Sequence, residues 1–222
     1  MADLINKEDK NALALVTDFF LTVGESLPVA GVGLGIYRAV LQLNADSFDE
    51  KLHDFFQEAT KASREEKQRL LKALDKRAGD FYKRIIKVLE RLEDREKATI
   101  LGGLFRGLCE QKLTIEQFNR LATLIDNTYL DTLKFLQTVA GQEEKERIRA
   151  SHASENNTAL HEKKQLVALG LLTERVKIIP TARRHKVIGG DRIMEQEMEF
   201  DVTDLGMILT NYGLSALFTK KK

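Results

Sequence analysis

The chain has 222 residues, 31% of them charged and 43% hydrophobic, with a formal net charge of +1. That balance excludes global disorder, and near-neutrality excludes attachment to nucleic acid or acidic lipid by bulk charge, so any such contact needs a local patch. One cysteine, Cys109, excludes an internal disulfide and a cysteine-based zinc cluster, and its expected place is a small apolar core position.

Only two prolines occur, Pro28 and Pro180, in a chain rich in Leu, Lys, Glu, Ala and Arg, which predicts long helices. Met1 is followed by Asp3, Glu8 and Asp9 rather than a basic leader, so a cytoplasmic protein is expected. Residues 3–24 read as an amphipathic helix carrying Leu4, Leu15, Phe19 and Phe20.

Next comes "LPVAGVGLGIYR", with Gly31, Gly33 and Gly35 at alternate positions in the least polar part of the chain. A dinucleotide loop needs G-x-G-x-x-G after a buried strand and a P-loop needs a terminal Gly-Lys-Ser/Thr, and neither pattern is met. From Ser26 to Ala45 the single charge is Arg38, and crossing hydrocarbon takes roughly 20 apolar residues. Two readings stand. Residues 11–43 form either a buried helical hairpin or one that leaves the soluble fold for a bilayer or partner. Its contact positions are Leu27, Val29, Val32, Leu34, Ile36, Tyr37, Val40 and Leu41.

A helix restarts at Asp46 or Ser47, with Phe48, Leu52, Phe55 and Phe56 along one stripe. Asp46, Asp49, Glu50 and Asp54 surround His53, read as a cap followed by a solvated face, and no metal-ligand spacing appears anywhere. Ser63 with Glu66, and Thr114 with Gln117, have capping-box spacing; Leu113 and Phe118 add a hydrophobic staple to the second. Ile85, Ile86, Leu89 and Leu92, then Leu101, Leu104, Phe105 and Leu108, continue the helical period.

The polar stretch "GQEEKERIRASHASENN" marks the expected boundary between a helical domain at 1–141 and a smaller one at 142–222. It contains Arg147 and His152, whose spacing matches the loose R-x4-6-H pattern of HEPN ribonucleases; the competing reading is a solvated polar face. In the last third, Met194, Gln196, Met198, Phe200 and Val202 alternate with Glu195, Glu197, Glu199 and Asp201, the period of a half-buried strand. Val176 and Ile178 alternate with Arg175 and Lys177 in its expected partner, with Gly189-Gly190 at the turn and Pro180 at an edge. A helix ending at Gly170 precedes this hairpin and another, capped by Thr203, follows. Lys163, Lys164, Arg183, Arg184 and Lys186 are the candidate phosphate contacts of such a winged-helix-like module; cross-strand pairing with the glutamates is the rival use of the hairpin's charge.

"LPVAGVGLGIYRAVLQL", then "EKATILGGLFRGLCEQKLTIEQFNRLATLIDNTYLDTLKFL", then "LVALGLLTERV" with "EFDVTDLGMIL", form a layout that resembles bacterial proteins of prophage and anti-phage systems, similar to the abortive infection alpha family. The resemblance implies a role in bacterial defence, acting at a membrane or on a protein partner, and carries over no catalytic residue. The expected fold is mainly α: an N-terminal multi-helix domain plus a small winged-helix-like α/β-hairpin domain. The expected function is non-enzymatic, without metal or cofactor, with protein partners or self-association; a nucleic-acid-binding regulator using residues 163–192 and a HEPN-like ribonuclease are the alternatives.

Overall fold

A computed structural model of the chain describes residues 46–141, 157–180 and 194–219. The fold is mainly α with one two-stranded antiparallel ribbon. The described elements are α1 (Asp46–Ala59), α2 (Arg64–Leu74), a 3-10 turn (Asp75–Arg77), α3 (Ala78–Arg91), α4 (Arg95–Cys109), α5 (Ile115–Asn127) and α6 (Leu130–Gly141). After them come α7 (Asn157–Ala168), β1 (Leu172–Pro180), β2 (Met194–Val202), α8 (Asp204–Ile208), a π-helical segment (Leu209–Leu214) and α9 (Ser215–Thr219). The expected helix at 3–24 and the apolar hairpin at 11–43 lie outside the described residues.

Two compact units emerge, one holding the chain up to Leu130 together with Ile208 onward, the other Asp131–Met207. The division follows Leu130, the first residue of α6, and the segment from Ile208 belongs to the first unit.

In the first unit α4 is buried along its whole middle, from Lys97 through Phe105. A helix that is apolar on all sides must be covered on all sides. α1 covers one side through Phe48, Leu52, Phe55 and Phe56, each no more than 3% exposed. The two helices meet at Gly102, where an added Cβ would lie 2.4 Å from the Phe55 carbonyl oxygen. The π-helical segment covers another side at Gly103, where a Cβ would fall 2.2 Å from the Tyr212 carbonyl oxygen. These glycines let backbones approach to distances that no side chain permits.

A row of rings continues the core: Phe55 lies 5.6 Å from Phe105, Phe105 lies 6.2 Å from Phe118, and Phe118 lies 5.5 Å from Phe81. Spacings of this kind are the preferred offset and edge-on arrangements of aromatic pairs.

The local start signals operate as expected. Ser63 Oγ accepts from the Glu66 amide at 3.2 Å while the Ser63 amide donates to Glu66 Oε2 at 2.8 Å. Thr114 and Gln117 repeat the exchange at 3.2 and 2.8 Å, and the staple residues Leu113 and Phe118 are buried. α4 ends in a Schellman motif, the Lys112 amide donating to the Gly107 carbonyl and the Gln111 amide to that of Leu108. This places Gln111 in the left-handed region, φ 60°, where glycine is the usual occupant. The segment opened by the Thr114 cap holds two helices, α5 and α6, with Thr128 between them in an extended conformation, φ −112° and ψ 139°.

In the second unit α7 closes with the same motif around Gly170, φ 72°, its amide donating to Val167 and that of Leu171 donating to Leu166. β1 and β2 then pair in register from Leu172 opposite Val202 to Pro180 opposite Met194. Thr203 ties the ribbon's return to its beginning. Its hydroxyl donates to the Gly170 carbonyl at 2.8 Å and accepts from the Gly206 amide at 3.1 Å, which caps α8.

Candidate functional site

Three ionisable groups of the first unit, Lys51, Arg95 and Glu58, join elements of the fold. Lys51 on α1 donates to the carbonyls of Glu90 and Leu92 at 3.1 and 2.7 Å, closing the C-terminus of α3 with a cation. Burial pushes its ammonium below the ordinary lysine range, and the nearby Glu90 carboxylate opposes that shift. Arg95 at the start of α4 grips α1 through Asp54 at 2.9 Å and Glu50 at 3.0 Å. The Asp54 hydrogen bond raises the guanidinium's pKa further. The acidic cluster around His53 therefore differs from the solvated face expected from sequence: Asp54 is buried, and two of its members are spent on one arginine.

Glu58, 0% exposed, sits beside Gly102 and meets Lys61 Nζ at 2.6 Å and Arg106 Nη1 at 3.6 Å, while Arg106 also faces Glu110 at 3.6 Å. Two cations on a fully buried carboxylate offset the cost of removing it from water.

The first unit also has a cleft of about 380 Å³ between α2 and the α4–α5 turn. Leu70, Leu108 and Leu113 line it, with Arg69 and Lys112 exposed at its margin and the capped start of α5 alongside. Cys109 reaches its wall, and burial pushes the thiol up to about 12, so the thiolate that would act as nucleophile is suppressed. Neighbouring Tyr82 is raised for the same reason, first by burial and then by Cys109. The sequence gives no local sign of this cleft, because three separate segments close it.

In the second unit the predicted basic set divides. Lys163 is 1% exposed, with its ammonium 5.3 Å from the centre of the Phe200 ring. This corrects its expected place among solvent-facing phosphate contacts: a cation–π contact holds it inside, beneath the ribbon. Lys164 is exposed. Beside them Thr132 Oγ1 donates to Glu162 Oε2 at 2.8 Å, tying α6 to α7. On the ribbon Arg175 pairs with Asp201 at 3.3 Å, the cross-strand neutralisation anticipated for this charge pattern. Val176, opposite Met198 in the register, is 59% exposed.

Arg183, Arg184 and Lys186 lie outside the described residues, as do Arg147 and His152 of the ribonuclease-like pattern. So do all eight apolar contact positions, Leu27, Val29, Val32, Leu34, Ile36, Tyr37, Val40 and Leu41. Among the described residues no group of His, Cys, Asp or Glu is placed to hold a metal ion, and no helix is long and apolar enough to cross a membrane. No family model, curated protein or solved structure matches the chain.

Proposed function

We propose that this chain is a non-enzymatic interaction protein of bacterial defence, an effector or sensor whose N-terminal apolar hairpin engages a membrane or a protein partner on activation. The observation that carries the reading is the run from Ser26 to Ala45, with Arg38 as its single charge in a chain that is 31% charged. The use made of buried ionisable groups supports it. Lys51 closes a helix, Glu58 balances two cations, and Lys163 sits under an aromatic ring. Each is engaged in holding elements together rather than presented in an open site. The defence role rests on the resemblance of layout alone.

Liposome flotation tests the membrane reading. Wild type floats with vesicles under activating conditions and a Val32→Glu/Leu34→Glu variant does not; if both stay in the soluble fraction, the membrane reading is lost and pull-down with the same variant tests the partner. Plaque counts on cells with and without the gene test the defence role. The rival regulator retains Lys164, Arg183, Arg184 and Lys186 now that Lys163 is buried. Salt-dependent retention on heparin, abolished by Arg183→Glu/Arg184→Glu, would replace our reading with that one. RNA cleavage lost in His152→Ala would replace it with a ribonuclease.

A further inference from the structure

The cleft of the first unit takes no part in the proposed membrane or partner contact. Its floor is three buried leucines from three segments, Leu70 of α2, Leu108 of α4 and Leu113 of the turn that follows, and its margin carries two exposed cations, Arg69 and Lys112. Among the described residues no aspartate or glutamate lines it. Two carboxylates close enough to act on Cys109 are committed elsewhere. Glu66 accepts from the Ser63 amide at 2.8 Å, and Glu110 faces Arg106 at 3.6 Å. An apolar floor beneath two cations that no lining carboxylate answers is complementary to a molecule oily at one end and negative at the other.

We propose that this cleft binds a medium-chain aliphatic carboxylate, the chain lying over Leu70, Leu108 and Leu113 and the carboxylate meeting Arg69 and Lys112. Its volume, about 380 Å³, is at the small end of the range for ligand pockets. At about 30 Å³ for a group the size of water, that is room for roughly a dozen non-hydrogen atoms, the size of decanoate. A nucleotide is a poorer match, because no aromatic ring among the lining residues offers a base a surface to stack on. Cys109 serves as wall only: with its thiol pushed up to about 12 it does not attack the ligand, so binding is reversible. The site is independent of the apolar hairpin, since all its residues lie between Arg69 and Gln117.

The test is calorimetric titration of the full chain with straight-chain carboxylates below their micelle thresholds, with amide NMR shifts locating the ligand. Affinity rises roughly threefold for each methylene from hexanoate to decanoate, then levels off as the chain outgrows the cleft. Octan-1-ol and octylamine bind roughly tenfold more weakly than octanoate, because they lack the negative charge. Arg69→Gln/Lys112→Gln lowers octanoate affinity roughly tenfold and leaves that of octan-1-ol nearly unchanged. Both side chains are exposed, so an unchanged thermal melt confirms that the variant's fold is intact. Ala73→Glu, on the exposed wall of α2, sets a carboxylate against the ligand and lowers octanoate affinity by a similar factor.

Absent decanoate binding overturns the proposal. So does octan-1-ol held as tightly as octanoate, or an Arg69→Gln/Lys112→Gln variant that binds octanoate as wild type does. Binding that survives in that variant but is lost in Val32→Glu/Leu34→Glu assigns the carboxylate to the apolar run and overturns the cleft as its site. Tighter capture of AMP, or of an acidic leucine-containing peptide, than of decanoate overturns the ligand class.

Discussion

Replacing Gly102 with alanine probes the closest helix–helix contact in the first unit. The new methyl would lie 2.4 Å from the Phe55 carbonyl oxygen and 2.9 Å from Glu58 Cβ, about 1 Å short of ordinary contact at the first. A carbonyl cannot rotate away as a side chain can, so α1 itself must shift. That shift disturbs the Phe55–Phe105 ring pair and the ion pairs of Glu58. Overpacking a close-packed interior costs about 3 kcal/mol at the upper end of its usual range. Alanine returns about 1 kcal/mol through its better helix propensity. The net loss is about 2 kcal/mol, a sizeable part of the stability of an ordinary domain. In urea unfolding followed by circular dichroism, this lowers the midpoint by roughly 1 M with the slope unchanged. Gly141→Ala is the control: nothing lies within 4 Å of its added methyl, so the same chemical change leaves stability equal or higher. A Gly102→Ala protein as stable as wild type would refute the packing argument.

Three further outcomes follow from local geometry. Gln111→Gly relieves a left-handed backbone at the end of α4 and, after the greater freedom of glycine in the unfolded chain, raises stability by about 0.5 kcal/mol; a loss would refute the strain. The Ser63 amide hydrogen bond holds the Glu66 carboxyl below its usual pKa, so its ionised form stabilises the fold above the ordinary carboxylate range and that contribution fades as pH falls through the depressed value. Glu66→Gln should therefore be less stable than wild type at neutral pH and converge with it as pH falls below the depressed carboxyl value, a gap read from paired urea titrations; a gap of constant size would contradict the linkage. Cys109, its thiol pushed up to about 12, should resist Ellman's reagent at pH 8 until the protein unfolds, and rapid native-state labelling would show that the thiol is accessible.

The legible parts of this fold are those set by neighbours in sequence. Both capping boxes, the Gly170 terminus, the Thr203 cap and the antiparallel ribbon depend on residues a few positions apart or on a period of two, so they stand out in the chain itself. The burial of Lys163 was not legible. A lysine on a charged helix looks solvent-facing until Phe200, from a distant strand, is laid over it. The same holds for the return of the C-terminal segment to α4. The glycines at 102, 103 and 107 announce close approach, but not which backbone approaches. The cleft beside Cys109 was missed for a similar reason, since its walls come from α2, the end of α4 and the start of α5. Charge proximity at Asp54 and Glu50 was visible, yet the arginine that engages them stands some forty positions away, with a sequence separation of 41 from Asp54.

The order in which the chain is synthesised gives the first unit an unusual dependence. Its central helix emerges from the ribosome well before the π-helical segment that covers Gly103, and the whole of Asp131–Met207 is made between them. Until translation reaches Ile208 and beyond, Ile100 and Leu104 lack the Gly213 backbone that seals them. A nascent or prematurely terminated polypeptide therefore carries an open oily groove, making it a natural client for chaperones and a ready target for proteolysis.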